Sequence, residues 1–438
     1  MTGVAVGGSA SDRARACRVV LAGWYGAANL GDELILSVFV DWVRQAGGVP
    51  IVISVHPHFT ASTLGVQAAS YTSLPEVVEA IAQADLLVLG GGGLFQEYDV
   101  FDRPSLARFP ARNVSQFAQF FLLAAELGVP TAVLAQGVGP LRNADAREIT
   151  AEVFTRADVC SVRDAESARL LRVIGVERLV PVAADPAWCF AFADAPVDLP
   201  TRFPELAGNR VMAIAVRDWP FDARWEDDFV AAFKNALPAG WACLWLDFAR
   251  TPSADARTVE GSEIAHRLIT KIADGRAHAV WQGMRVEEAA SLIAACDAMI
   301  AMRLHAVLLG HLAGLPVVSV EYDDKVRILD DELRVPAAQR MTLEQIGEKL
   351  RPSLARACGE DGSAHRTDPA VREQLARSAR AHGDLLRNAI QHNVRAVAGP
   401  ARDKPLLADW VAADPQSADR VIAALVRRLD ARMNRKND

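Results

Sequence analysis

Three things are scarce in this sequence: positive charge, closely spaced cysteines and unbroken apolar runs. Lys and Arg together number 47 against 54 Asp and Glu, a formal net charge of -7. A chain of that balance has no basic surface with which to neutralise phosphates, so nucleic acid is excluded as a partner. The six cysteines, at 17, 160, 189, 243, 296 and 358, are scattered, and none forms a CxxC pair. That spacing excludes a zinc site and a disulfide framework, sets the expected metal content at none, and fits a reducing cytosol. No stretch of about 18 uninterrupted apolar residues occurs, so no spanning helix is expected. A membrane-bound substrate is then reached from the cytosolic face, which places the protein in the cytoplasm or at the inner face of the membrane. Residues 1–16, MTGVAVGGSASDRARA, lack the apolar centre of a signal peptide and read as a disordered leader.

What is present is the composition of a large globular protein. The chain has 438 residues, 51% hydrophobic and 23% charged, enough for two domains of ordinary size. Short apolar runs alternate with helical patterns. CRVVLAG (17–23), PIVISV (50–55), DLLVLGGGG (85–93) and PTAVLAQGVGPL (130–141) read as strands. GDELILSVFVDWVRQAG (31–47), PEVVEAIAQA (75–84) and SQFAQFFLLAAELG (115–128) read as the helices between them. This alternation predicts a parallel sheet with crossover helices. The pattern breaks at DAPVDLPTRFPELAGN and restarts with the strands RVMAIAVRDW, WACLWLDF, DAMIAM and PVVSV. The predicted organisation is an N-terminal α/β domain over 17–193 on the acceptor side, a linker over 194–209, a second α/β domain over 210–340, and a helical extension over 341–438. The fold class is thus α/β, with two Rossmann-like domains whose parallel sheets face a cleft and a helical C-terminal segment.

In sheets of this kind ligands bind beyond the carboxyl ends of the strands, and the informative residues lie there. In GWYGAANLGDE, Asn29 and Asp32 suit a turn and a helix cap, and the helix that follows would aim free N–H groups at an anion. Four glycines in a row, including Gly91, Gly92 and Gly93, turn the strand at 85–93 into a glycine loop; they are costly to order and suggest close approach of a ligand. Gln96 and Glu97 follow them, as sugar-binding groups or as solvated helix residues. Gln136 ends another strand. Arg163, in SVRD, follows an apolar strand directly, where it either meets a ligand or pairs with Asp164 or Glu166; Arg217, in AVRD, repeats the form. Asp185, in ADPAW, fixes a turn or faces the crevice between domains. Lys325, in YDDKV, adds positive charge or belongs to a surface turn. His56 and His58 form an HxH pair with no third ligand close in sequence and read as an ordinary loop.

The most telling stretch is AMRLHAV. Arg303 and His305 stand two apart where a strand gives way to a helix that starts at about 304, and residues two apart in extended backbone share a face. Arg suits bidentate contacts with carboxylate and phosphate, and His gives or takes a proton near neutrality. Together they suggest a site for a small dianion that must be protonated.

Taken in order, GWYGAANLGDE, LVLGGGGLFQE, AQGVGPL, SVRDAES, ADPAW, AVRDW, AMRLHAV and YDDKV, spanning 19–326, make the chain resemble the polysaccharide pyruvyltransferase family, which includes CsaB-like enzymes that modify bacterial cell-wall polymers. The resemblance implies a GT-B-like fold and transfer of a pyruvyl group from phosphoenolpyruvate to a sugar, forming a ketal and releasing phosphate. It implies that Arg303, His305 and Arg163 hold the donor, with Arg217 a further candidate. It implies no cofactor beyond phosphoenolpyruvate as donor substrate. A carboxylate, Asp32, Glu97 or Asp185, takes the hydroxyl proton. The acceptor stays open among a lipid-linked disaccharide, a nucleotide-linked sugar, a free glycan and a small metabolite, as do a peripheral membrane contact and a homo-oligomer. The segment after about 340 is longer than such a core requires. A glycosyltransferase using a nucleotide sugar and a non-catalytic binding protein are the alternatives.

Overall fold

The computed structural model describes residues 16–97, 106, 109–110, 113–192, 197–219, 224–248, 262–359 and 364–392. The leader read over 1–16 falls, but for its last residue, outside them, as do 393–438 of the C-terminal segment.

Two parallel six-stranded sheets organise the molecule. The first is built from β1 (Arg18–Ala22), β2 (Val49–Ser54), β3 (Gln67–Ser70), β4 (Leu86–Phe95), β5 (Thr131–Val138) and β6 (Val159–Val162) in the order β3-β2-β1-β4-β5-β6. The second uses β7 (Arg210–Ala215), β8 (Trp241–Leu246), β9 (His278–Trp281), β10 (Ala298–Ala301), β11 (Val317–Glu321) and β12 (Arg340–Thr342) in the order β12-β11-β10-β7-β8-β9. Each sheet winds outward in both directions from its first strand. The crevices therefore open beyond the ends of β1 and β4 in one sheet and of β7 and β10 in the other. The strands are apolar on both faces because helices cover both faces.

An acidic residue sets the start of three strand pairings in the same way. Asp85, Asp158 and Asp297 each precede a strand and accept an N–H from the first or second residue of a neighbouring strand, from Arg18 at 2.9 Å, Thr131 at 2.8 Å and Val211 at 2.8 Å. The device fixes register where ladder bonding has not yet begun.

Two helices tie the sheets together. α1 (Leu30–Gln45) follows β1; its Leu30 and Leu34 pack into the core of the second sheet, and the Leu30 N–H donates to the Phe248 carbonyl at 3.0 Å. α14 (Pro369–Gln391) returns from the C-terminal side: Leu375 and Ala379 pack with the second sheet, Leu386, Ala389 and Ile390 with the first. At 1.5 Å per residue this helix is about 35 Å long, enough to reach both. Gly383 lets it lie on Trp42, since a Cβ there would stand 3.0 Å from the indole. Among the described residues no helix is long and apolar enough to cross a membrane.

Two fully buried histidines secure the C-terminal segment. His382 Nδ1 meets Ser161 Oγ at 2.8 Å, and its Nε2 lies 3.2 Å from the Ala184 carbonyl. His311 Nδ1 meets Thr367 Oγ1 at 2.8 Å. Burial pushes His382 down to about 4 and His311 down to about 3, so both are neutral in the folded protein at pH 7. The unfolded chain binds these protons near pH 6.5 and the folded chain does not, so stability is lost as the pH falls from about 6.5 toward 4. Unfolding titrations between pH 5 and 6 should show this slope, and His382→Gln should reduce it by close to one proton's worth, about 1.4 kcal/mol per pH unit.

Candidate functional site

Arg163 comes directly after β6, where its N–H still bonds the Gln136 carbonyl at 3.1 Å and so continues the sheet by one residue. Its guanidinium lies against Gly137; a Cβ at that position would be 2.7 Å from Nη2. Nη1 donates to Asp185 Oδ2 at 3.1 Å, and both residues are buried, 9% and 8% exposed. Asp185 also caps the 3-10 turn Pro186–Cys189 by accepting from Ala187 N–H at 3.0 Å. The alternative partner, Asp164, stands 3.9 Å from Arg163 Nε and instead caps α6 (Ala165–Val173) by accepting from Ser167 N–H at 2.7 Å.

The second sheet supplies His305. The helix α11 (Leu304–Leu312) starts one residue before it, so His305 sits in a first helical turn rather than in extended backbone. Arg303 is the N-cap residue, at φ -77° and ψ 134°. The common face of extended backbone therefore ends at Arg303, and His305 is carried by the first turn of the helix. The helix begins where the sequence places it, at about 304.

His305 Nε2 lies 3.5 Å from the same Asp185 Oδ2 that Arg163 holds, and no hydrogen bond of ordinary geometry reaches that nitrogen among the described residues. The other edge of the ring is against α1: a Cβ on Gly31 would come within 2.2 Å of Nδ1. Gly31 is thus glycine because the imidazole occupies the space of a side chain. Burial opposes the charge on Asp185, but His305, Arg163 and the Ala187 N–H outweigh it and hold the carboxyl well below the usual carboxylate range.

Asp32 lies in the first turn of α1, and a Cβ on Gly92 would be 2.9 Å from its Oδ1. Burial pushes Asp32 up to about 6, against the opposing pull of His305, Arg163 and Lys325, with Asp185 adding to the rise. These charges come from four separate segments and converge on one carboxylate. Lys325 belongs to α12 (Asp324–Glu332), whose cap Asp323 accepts from the Lys325 N–H at 3.1 Å, and Lys325 Nζ is 3.4 Å from Asp323 Oδ2.

The remaining candidates fall into two groups. Arg217, after β7, donates to the Tyr322 hydroxyl at 3.2 Å and stands 5.2 Å and 5.1 Å from the Trp219 and Tyr322 ring centroids; Lys325 lies 5.8 Å from that same tyrosine ring. It occupies the rim next to Lys325. Asn29 is a helix cap, accepting from Gly31 N–H at 3.3 Å. Gln136 is fully buried within β5 and donates to the Leu89 and Leu134 carbonyls. Glu97 is buried too, and its Oε2 accepts from the Arg142 and Asn143 N–H groups at 2.5 Å and 2.9 Å, which makes it a loop clamp. Gln96 is likewise buried rather than solvated.

The glycine run is strand, not loop. It forms the second half of β4, with φ +61° at Gly91, +86° at Gly92 and a register shift beyond Gly92. A Cβ on Gly91 would strike Ile35 at 2.2 Å, and one on Gly93 the Gln96 side chain at 2.6 Å. Gly91 therefore admits α1, while Gly92 brings backbone next to Asp32.

A layer beneath Asp32 was not legible in the sequence. Glu33 accepts from Gly26 N–H at 2.7 Å and is pushed up to about 8 by burial and then by Asp32. The buried Tyr25 donates to the Gly90 carbonyl. Both residues lie in the GWYGAANLGDE stretch, whose unusual density of turn residues and carboxylates was the only available signal. Among the described residues no group of three His, Cys, Asp or Glu could hold a metal ion.

Several solved structures share this architecture. Anabaena HepE in complex with UDP and glucose superposes with a TM-score of 0.53 at 13% identity, covering 87% of this chain and 99% of that one. S. aureus MnaA bound to UDP gives 0.54 at 10% identity, over 88% and 99%. A UDP-N-acetylglucosamine 2-epimerase gives 0.52 at 9%, over 90% and 100%. At such identities the likeness establishes the GT-B-like fold. No curated protein sequence matches the chain. The family model for polysaccharide pyruvyl transferase matches residues 29–324, a span that begins at the cap of α1 and ends at the first residue of α12, and the chain belongs to that family.

Proposed function

We propose that this transferase moves the pyruvyl group of phosphoenolpyruvate to two hydroxyls of one sugar, forming a cyclic ketal and releasing phosphate. The observation that carries the reading is the meeting of Arg163 and His305, from different sheets, on one oxygen of Asp185. The donor has a carboxylate at one end and a phosphate at the other, and Arg163, Arg303 and Lys325 are the cations assigned to them. Its methylene carbon must gain a proton before C2 becomes electrophilic. His305 Nε2 is the atom assigned to supply it: it stands 3.5 Å from the Asp185 oxygen that Arg163 holds, and no hydrogen bond of ordinary geometry reaches it among the described residues. Asp185, kept ionised, holds the ring in place.

The acceptor is a sugar with two free neighbouring hydroxyls, carried on a glycan, a lipid or a nucleotide. The test is incubation with phosphoenolpyruvate and a panel of p-nitrophenyl hexosides and nucleotide-linked hexoses. Phosphate release should accompany a mass gain on the sugar of about 70 Da, which is pyruvate less water. Release of UDP from UDP-glucose with no consumption of phosphoenolpyruvate would identify a glycosyltransferase on the shared fold instead.

Gly31→Ala gives a second check on the geometry. The added methyl must displace the imidazole from its place between α1 and Asp185. A shift of about 1 Å in a reacting group can cost about a hundredfold, and that loss is expected in transfer rate. Combined with His305→Ala, the same substitution should have almost no further effect, because the side chain it collides with is gone.

A further inference from the structure

Pyruvyl transfer as proposed above needs a base for the acceptor hydroxyl, and three carboxylates are available on chemical grounds. Two are committed elsewhere. Glu97 is clamped on the Arg142 and Asn143 N–H groups, and Asp185 is shared between Arg163, the Ala187 N–H and His305. A carboxylate so thoroughly satisfied is a poor proton acceptor. Glu33, next in the chain, is taken by the Gly26 N–H. Asp32 differs: among the described residues no hydrogen bond reaches its carboxylate, although it is partly buried, stands over Gly92, and feels the charges of His305, Arg163, Lys325 and Asp185.

We infer that Asp32 is the catalytic base that receives the acceptor hydroxyl proton; the inference rests on the pyruvyltransferase reading and goes on to assign the route of both protons. In the first step His305 Nε2 gives its proton to the methylene carbon of phosphoenolpyruvate, whose π electrons form the new C–H bond. The acceptor hydroxyl oxygen bonds to C2, and its proton passes to Asp32. In the second step the neighbouring hydroxyl oxygen bonds to C2, and the C2–O bond to phosphate breaks with the electron pair leaving on phosphate. The proton of that hydroxyl returns to His305, and the proton on Asp32 passes to the departing phosphate. The acceptor has lost two protons, one now in the new methyl group and one on phosphate, and both side chains are restored. No other reactant is required.

The environment suits the task. Burial raises Asp32 to about 6, close enough to neutrality for a base that must accept and then release a proton. The charged groups facing it are His305 from α11, Lys325 from α12, Arg163 after β6 and Asp185 before the 3-10 turn, with Glu33 and Tyr25 beneath.

The test uses the full chain, phosphoenolpyruvate and the p-nitrophenyl hexoside panel, with Asp32→Asn, Asp32→Ala and Asp32→Glu. Asp32→Asn should lower kcat at least a hundredfold and remove the acid limb, centred near pH 6, from the kcat/KM profile. Phosphoenolpyruvate binding, followed by calorimetry, should be unchanged or tighter, because a negative charge next to an anionic donor is removed. Asp32→Glu should recover part of the rate. A residue that only shapes the loop would instead weaken donor binding and turnover together, and that result overturns the assignment. So does an Asp32→Asn enzyme within tenfold of the parent. If Asn at 32 compromises folding, retained donor binding by Asp32→Ala serves the same comparison. A parent enzyme that consumes no phosphoenolpyruvate with any sugar of the panel overturns the pyruvyl reading itself, and the assignment with it. An active parent with an active Asp32→Asn variant overturns the assignment alone.

Discussion

His305→Ala should lose about a thousandfold or more of phosphoenolpyruvate-dependent phosphate release while the protein still melts as a folded unit. General acid catalysis contributes about 10²–10⁴ in rate, and the loss is placed in the upper part of that range because the carboxylate beside the ring, Asp185, is ionised and cannot donate in its place. The structural cost should be modest. The ring is a contact between α1 and α11 rather than part of either core, and Asp185 keeps Arg163 and the Ala187 N–H when the imidazole is gone. Donor affinity should fall only slightly, since the cations proposed to hold the donor are untouched. Phosphate release, calorimetric titration with phosphoenolpyruvate and thermal melting separate these effects. A variant retaining a tenth of the parent rate would end the proton-donor role.

Much of the architecture could be read from the chain because doubly wound sheets write themselves plainly: VVLA, IVIS and LLVL are apolar on both faces, and amphipathic segments of helical length lie between them. The short edge strands β3, β9 and β12 were not legible. Four or fewer residues such as QAAS or RMT carry no usable period. The glycine run shows a different limit. Glycine is a poor strand former by propensity, so the sequence reads as a loop. In the structure α1 presses so closely on β4 that Ile35 occupies the place of a side chain at Gly91. Tertiary contact overrides propensity there.

The site was legible in its chemical types more than in its wiring. Strand-end position singled out Arg163, Arg303 and His305, and turn chemistry singled out Asp185. Nothing in the sequence says that Asp185, 120 residues before His305, shares one oxygen between that ring and Arg163. Nor could it say that Glu97 turns back on its own loop or that Gln136 is sealed inside a sheet. Those facts depend on how the chain crosses between sheets, which residue types do not encode. The path of α14 is of the same kind: its apolar stripe predicts a packed helix, but not one that lays His382 against the carbonyls just before Asp185.

Arg163→Met should lower both stability and transfer, and the two losses should be separable. The substitution keeps the length of the side chain but leaves the buried carboxylate of Asp185 with only His305 and one N–H group. Breaking a buried ion pair by removing one partner costs about 3–5 kcal/mol; with those contacts remaining, a loss near 3 kcal/mol is expected at pH 7 by chemical denaturation. The sign of its pH dependence follows from Asp185. Its carboxyl is depressed in the parent, so the pair stabilises the fold in full above the ordinary carboxylate pKa of about 4 and progressively less below it. The deficit of the variant should shrink over the same acid range. Adding Asp185→Asn removes the uncompensated charge, so the double variant should regain most of the lost stability. Transfer should not return with it. The guanidinium would still be missing from the proposed donor site, and a rate roughly a thousandfold below the parent is expected if the reacting anion meets that charge. A double variant that recovers transfer along with stability would mean that Arg163 serves only to neutralise Asp185, and the donor site would then have to be built without it.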